Sequence, residues 1–194
     1  MIKKTLIALI SAGLMTGCAS ESKSASEVSM EINTEEIVEE DEKDFKYQLP
    51  EASIQEQMAL AAFQERGITD RLALAVLLGN VKHESQFKPD ICEGGARVPY
   101  ENCHTGGFGL IQWTTHNRYN GLGNFAKKYD CNPSTTECQL RYMFNEVQWQ
   151  SIEKYMKTPG KTIEWYMEKA YIWLGWGVHG HRTDYAYDYA RWLS

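Results

Sequence analysis

The chain has 194 residues, 43% of them hydrophobic and 24% charged, with a formal net charge of −6 at pH 7. This suits one medium domain with extra segments. The acidity is uneven: of 20 Lys and Arg, five lie in residues 1–50, and of 26 Asp and Glu, ten do, so residues 51–194 carry 15 against 16. With no basic patch on a nearly neutral domain, nucleic acid is excluded as a partner.

At the start, Lys3 and Lys4 precede an apolar stretch from Leu6 to Met15 and then Thr16-Gly17-Cys18. This reads as a secretory signal over residues 1–17, too short to span a bilayer as a stable helix. The small residues before Cys18 resemble the lipobox of bacterial lipoproteins. That resemblance implies cleavage before Cys18, its lipidation, and a membrane partner through the lipid anchor. An ordinary signal peptide with a chance cysteine is the alternative. Ala19 is not the Asp that typically retains such proteins in the inner membrane. The expected location is therefore the cell envelope, on the outer membrane facing the periplasm of a two-membrane host. Residues 18–50, rich in Ser, Glu and Lys, predict a disordered acidic tether that cannot bury a core.

The domain is expected over residues 51–194. Ser53-Ile54-Gln55-Glu56 is a capping box, and Ile54, Met58, Ala61 and Ala62 follow at helical spacing up to Gly67. Asp70 is placed to cap a second helix whose Leu72–Leu78 run is wholly apolar, so that helix should be central and buried. Gly79 weakens it, which implies close packing against a neighbour. Ser85-Gln86-Phe87-Lys88-Pro89 ends it, and residues 88–113 are loop-rich. Further helices are predicted over 115–129, from a capping box at Ser134-Thr135-Thr136-Glu137 to Tyr155, over 162–174, and over 183–193 after a glycine-rich turn at 175–180. Neither strands nor repeats stand out, so the fold class is all-α.

Setting Cys18 aside, Cys92, Cys103, Cys131 and Cys138 remain. An even number in an exported chain reads as disulfides, and local pairing, Cys92–Cys103 and Cys131–Cys138, is the expected one of three connectivities. A zinc site with His104, His179 or His181 competes, but the spacing matches no common zinc pattern, so neither metal nor cofactor is expected.

Glu84 is the candidate for the chemistry. Val76, Asn80 and Glu84 share one face of the second helix, which turns polar only where the chain leaves the core. Burial and the negative helix end both disfavour the carboxylate, raising the pKa as a general acid requires. A salt-bridged helix-end residue is the competing reading. Glycines at 106, 107 and 109 would let backbone approach a ligand, Gln112 could bond sugar hydroxyls, and Trp113 could stack on a pyranose. A tight turn feeding a buried Trp is the alternative. His83 points about a hundred degrees away from Glu84 on the helix. His179 and His181 read as parts of a structural turn, and Tyr185, Tyr189 and Trp192 as a core stripe.

Glu84-Ser85-x-Phe87-x-Pro89 followed by Gly107-x-Gly109-Leu110-x-Gln112-Trp113 resembles the lysozyme and lytic transglycosylase superfamily, and more narrowly its phage-tail-lysozyme type. Gly79-Asn80, Arg118, Glu137-x-Gln139-Leu140-x-Tyr142 and Glu146 fit the same pattern, which covers roughly residues 55–150. The resemblance implies a lysozyme-like helical fold with a loop-rich cleft. It also implies cleavage of the β-1,4 bond between N-acetylmuramic acid and N-acetylglucosamine, with peptidoglycan glycan strands as partner. Glu84 would be the acid, and Ser85, Phe108, Gln112 and Trp113 would meet substrate. A hydrolase would add a second carboxylate, with Asp90, Glu93 and Glu101 as candidates; a transglycosylase would need none. The alternative function is a non-catalytic wall-binding module or a structural lipoprotein of a secretion or phage-derived machine, with an envelope-spanning complex as partner.

Overall fold

The computed structural model describes residues 45–104 and 106–194. The signal peptide 1–17, Cys18 and the tether up to residue 44 lie outside the described residues. The described chain is all-α, with seven α-helices, a single 3-10 turn at Tyr100–Asn102 and two isolated bridges, Ile91 to Arg97 and Cys92 to Phe108.

Helix α1 (Ile54–Glu65) opens on the expected capping box: Ser53 Oγ accepts from the Glu56 amide at 3.3 Å, and the Ser53 amide donates back to Glu56 Oε2 at 3.0 Å. Gly67, at φ +84°, turns the chain. Helix α2 (Arg71–Ser85) is capped by Asp70, whose Oδ1 accepts from the amides of Leu72 and Ala73 at 2.9 and 3.1 Å. Every residue from Ala73 to Val81 is buried, as an apolar run without a polar face demands. Helices α1, α6 (Ile163–Leu174) and α7 (Arg182–Trp192) pack directly on α2, while α3 (His116–Tyr129) packs on α4 (Thr136–Asn145), α4 on α1, and α5 (Val147–Met156) on α4 and α6. An aromatic stack anchors the far side of the core, with Phe63 to Trp149 at 5.6 Å and Trp149 to Trp173 at 5.3 Å between ring centroids.

Gly79 has the close neighbour its position implied. A Cβ there would sit 2.6 Å from the Ala186 nitrogen and 3.0 Å from the Arg182 carbonyl oxygen, so α7 crosses α2 backbone to backbone. The disulfides are Cys92–Cys103 and Cys131–Cys138, the local pairing, and they consume the thiols that the zinc alternative needed.

Three sequence expectations shift. The helix predicted from 134 to 155 is two, broken at Glu146, whose extended backbone (ψ 141°) turns its carboxylate towards other partners. Its cap is Thr135, because Ser134 Oγ is taken by the Tyr100 amide at 2.8 Å. The folded body also begins before residue 51. Tyr47 exchanges two 2.9 Å bonds with the Gln64 side chain, the Gln48 amide donates to the Ser194 carbonyl at 2.9 Å, and Leu49 is buried. In the last helix Tyr189 is core, but Trp192 faces out, so the aromatic stripe is only partly buried.

Glu56 ties three helices together. It accepts from Tyr189 Oη of α7 and from Lys82 Nζ of α2 at 3.0 Å, in addition to its capping bonds. Burial alone would raise its pKa, but hydrogen bonds from Tyr189, Ser53 and Lys82 outweigh it and pull the value from 4.5 down to about 2. Because the folded value is depressed, this contribution to stability is complete above pH 4.5 and is lost as pH falls towards 2. Glu56→Gln should cost about 2 kcal/mol at neutral pH, and thermal melts of variant and parent should converge near the acid end of that window.

Candidate functional site

Glu84 is the penultimate residue of α2, and its side chain is 15% exposed. The chain reverses directly after it through Gln86 and Phe87, both left-handed at φ 52° and 59°. Phe87 nonetheless stays buried, with its ring edge-on to Tyr189 at 6.3 Å. Glu84 therefore sits on a rigid rod at the point where the rod stops.

It opens into a cleft of about 530 Å³. One wall is the end of α2, with His83 and Glu84; a second is Ile111, Gln112, Thr114 and Thr115 leading into Arg118 of α3; the third is the turn from Leu174 to Val178 together with Arg182 of α7. Glu84 is the one carboxylate among these lining residues. Burial raises its pKa above the ordinary 4.5; a hydrogen bond from Arg182 and the charges of Arg182 and Arg118 pull the other way without cancelling the rise. His83 also lines the cleft. Its ring lies beneath Gly180, where a Cβ would come within 2.2 Å of Cε1. Burial, then the charges of Arg182, His181 and His179, lower its pKa. His179 and His181 belong to a structural turn, bonded at 3.0 Å to Thr183 Oγ1 and Asp184 Oδ2 respectively.

The glycine-rich loop is built differently from the expectation. Its glycines make room for protein side chains: a Cβ on Gly109 (φ +72°) would meet the Gln139 amide at 2.5 Å, and one on Gly106 would meet the Glu93 carboxylate at 1.9 Å. Gln139 is buried and holds the loop by accepting from the Leu110 amide at 2.8 Å and donating to the carbonyls of Pro89 and Pro133 at 2.6 and 2.7 Å. Ser85 lies behind the cleft too, its hydroxyl donating to the Leu110 carbonyl at 2.9 Å. Phe108 is buried against Tyr100, with ring centroids 5.5 Å apart. Trp113 is fully buried, donates its indole N–H to Glu146 Oε2 at 2.9 Å and packs on Tyr142.

Ser85, Phe108 and Trp113 are thus corrected from substrate-facing to supporting positions: their side chains are sealed and their polar atoms are satisfied within the protein. Gln112 alone of the four remains on the cleft, half-buried, with Nε2 bonded to the Gly109 carbonyl at 3.1 Å. None of Asp90, Glu93 and Glu101 lines the cleft; Asp90 pairs with Arg97, and Glu93 accepts from the Gly107 amide at 3.1 Å.

Behind the loop, Arg118 donates from Nε and Nη2 to the two oxygens of Glu146 at 2.7 and 2.8 Å, and Trp113 shares the second oxygen. The Trp, Arg and Glu of the sequence pattern are therefore one network behind the cleft's second wall, and the Gln stands outside it on the cleft. A model of the phage tail lysozyme family matches residues 54–190.

The chain belongs to the phage tail lysozyme family.

No curated protein and no solved structure matches it. Membership gives this lysozyme domain peptidoglycan as its substrate class and peptidoglycan-lytic activity in general.

Two cleft residues of the phage tail lysozyme domain escaped the sequence reading. Trp176 is the aromatic residue that lines the cleft, where Trp113 does not, and Arg182 contacts Glu84. Only the glycine-rich run Gly175–Gly180 hinted at them, by marking a turn where backbone and side chains crowd.

The network predicts opposite behaviour for its members and for the cleft surface. Glu146→Ala leaves the Arg118 guanidinium and the Trp113 N–H without their acceptor and should cost about 3 kcal/mol in denaturant unfolding. Trp113→Phe should cost about 1–2 kcal/mol yet leave KM on purified wall unchanged, since the indole is sealed behind the cleft.

Proposed function

We propose that the protein cleaves the β-1,4 bond between N-acetylmuramic acid and N-acetylglucosamine, with Glu84 as general acid, and that it does so as a lytic transglycosylase. The observation that carries this reading is the lone carboxylate: Glu84 is half-buried with its pKa raised, and no other Asp or Glu lines the cleft among the described residues. A hydrolase of the two-carboxylate kind would hold its second group roughly 5–9 Å away across the same cleft.

The protonated Glu84 gives its proton to the glycosidic oxygen. The bond from C1 to that oxygen breaks, and its electron pair leaves with the N-acetylglucosamine, whose 4-oxygen becomes a hydroxyl. The C6 hydroxyl of the muramic residue then attacks C1, and Glu84, now a carboxylate, takes the proton from it. Water is not consumed, and the product is a 1,6-anhydro sugar. Trp176, with Tyr171 edge-on to it at 5.2 Å, offers an aromatic wall for a pyranose.

The same proposal includes the anchor. Lys3-Lys4, the apolar Leu6–Met15 and Thr16-Gly17-Cys18 support a lipoprotein signal, and Ala19 supports outer-membrane attachment with the domain in the periplasm. Cys18→Ala should release the protein from the membrane fraction, and recovery with inner membrane would overturn the placement.

Glu84→Gln should lower kcat on purified wall about a thousandfold without changing the melting temperature greatly. Mass spectrometry of the released muropeptides should find anhydro ends; reducing ends would point to hydrolysis, and an intact wall would remove the enzyme reading. Because the acid must carry its proton, activity should decline as pH rises through Glu84's elevated pKa. Trp176→Ala should raise KM roughly fivefold, about 1 kcal/mol of lost stacking, with kcat less affected.

A further inference from the structure

Arg182 is an expensive residue to keep where it is. It begins α7, and its side chain is only 4% exposed. Nη1 donates to the carbonyls of Val178 and His179 at 2.9 and 2.8 Å, Nη2 donates to Glu84 Oε1, and the guanidinium lies over the Trp176 ring at 4.8 Å. Nε is buried with no acceptor. A fold that needed only a cap for the 178–181 turn would not require a buried cation with a stranded N–H, since such groups cost more than they return unless they are fully paired. The main chain of the same residue is pinned as well, its carbonyl lying against Gly79 of α2. Arg182 therefore has little freedom to leave Glu84.

The contact has a directional consequence. A guanidinium N–H can only donate, so the oxygen it meets can only accept. With Oε1 committed in this way, a protonated Glu84 carries its hydrogen on Oε2. When that proton leaves, the charge appears on a carboxylate already bonded to a fixed cation. We propose that Arg182 is a positioning residue for glycan cleavage: it directs the transferable proton to Oε2 and stabilises the carboxylate that must later act as base. This rests on Glu84 being the acid. One carboxylate serving both steps needs both protonation states within reach, and burial without Arg182 would leave the second too costly.

The charged groups acting on Glu84 are Arg182 from α7 and Arg118 from α3; His83, its neighbour on α2, also lines the cleft and is itself acted on by Arg182, His181 and His179. Arg118 is already bound by both oxygens of Glu146, which leaves Arg182 as the direct partner.

The test is the pH profile of kcat/KM on purified peptidoglycan for full-length protein carrying Arg182→Met, Arg182→Gln or Arg182→Lys, with folding checked by circular dichroism. Met preserves the bulk over Trp176, and Gln retains donors for the turn carbonyls. In both, the alkaline limb should move up by about one pH unit or more, and kcat should fall about tenfold with KM little changed. The Lys variant should keep the limb at its parental position and recover part of kcat. An unmoved limb in a folded neutral variant would overturn the assignment. If both neutral variants unfold, a displaced limb in the Lys variant overturns it and a parental limb with reduced kcat supports it. Glu84→Gln run alongside separates the two readings: full activity there removes Glu84 as the acid, whereas an inactive Glu84→Gln with unmoved Arg182 limbs removes only the role given to Arg182.

Discussion

The crossing of α2 and α7 at Gly79 is the contact on which the cleft depends. Any side chain at residue 79 would meet the main chain of Ala186 and Arg182, and main chain cannot step aside as a flexible side chain can. The absence of a Cβ lets α7 lie directly on α2, and a second glycine, Gly180, lets the His83 ring tuck beneath the turn before α7. From this seam Arg182 reaches Glu84 at one end, and Tyr189 reaches Glu56 at the other. The turn carrying Trp176 then has only one side on which to stand, and it becomes the far wall of the cleft.

The opposite wall is held by different means. Residues 106–113 form no regular element long enough to satisfy their own main chain, yet much of the loop is buried. Burial is tolerable only because side chains from distant segments supply the missing partners. Gln139 accepts from the Leu110 amide, Ser85 donates to its carbonyl, and Glu93 takes the Gly107 amide. The glycines are needed for the approach of these groups, which is a packing reason for a glycine-rich turn that resembles a ligand-binding one in sequence. The Cys92–Cys103 bond closes the neighbouring loop, so Glu93 is presented to Gly107 from a tethered segment.

What was legible in the sequence was local. Capping at Ser53 and Asp70, the buried run of α2, the end of that helix at Glu84 and the pairing of nearby cysteines each depend on residues within a few positions of one another. Helix boundaries failed only where a distant group intervened, as when Glu146 left the helical path to meet Trp113 and Arg118, 33 and 28 residues away. The direction in which Trp113 faces was not readable, because an aromatic after a tight turn fits a sugar or a core equally well until its N–H finds an acceptor. Arg182 lies 98 residues from Glu84, and nothing in its immediate neighbourhood distinguishes it from the arginines on the surface. His83 illustrates the same limit: about a hundred degrees separate it from Glu84 on the helix, yet both line the cleft, so angle alone does not decide which residue reaches it.

Part of the cost of this construction lies around Glu84. Gln86 and Phe87 are both left-handed immediately after it, a conformation that costs a bulky residue on the order of 1–3 kcal/mol. Asn80 Oδ1, one turn before Glu84 on the same face of α2, is buried without a partner, and so is Arg182 Nε. Each unpaired atom forgoes roughly 1–3 kcal/mol. The indole nitrogens of Trp149 and Trp173 in the aromatic stack are buried without acceptors as well, so the unpaired atoms are divided between that stack and the surroundings of residue 84. Strain and unpaired groups persist where surrounding structure over-determines them, and here α2, α7 and the Gln139-bound loop converge on one carboxyl group. A carboxyl raised by burial and restrained by a cation keeps its balance only while both distances are held. That requirement accounts for Glu84 riding on the most buried of the described helices and Arg182 on the helix packed hardest against it.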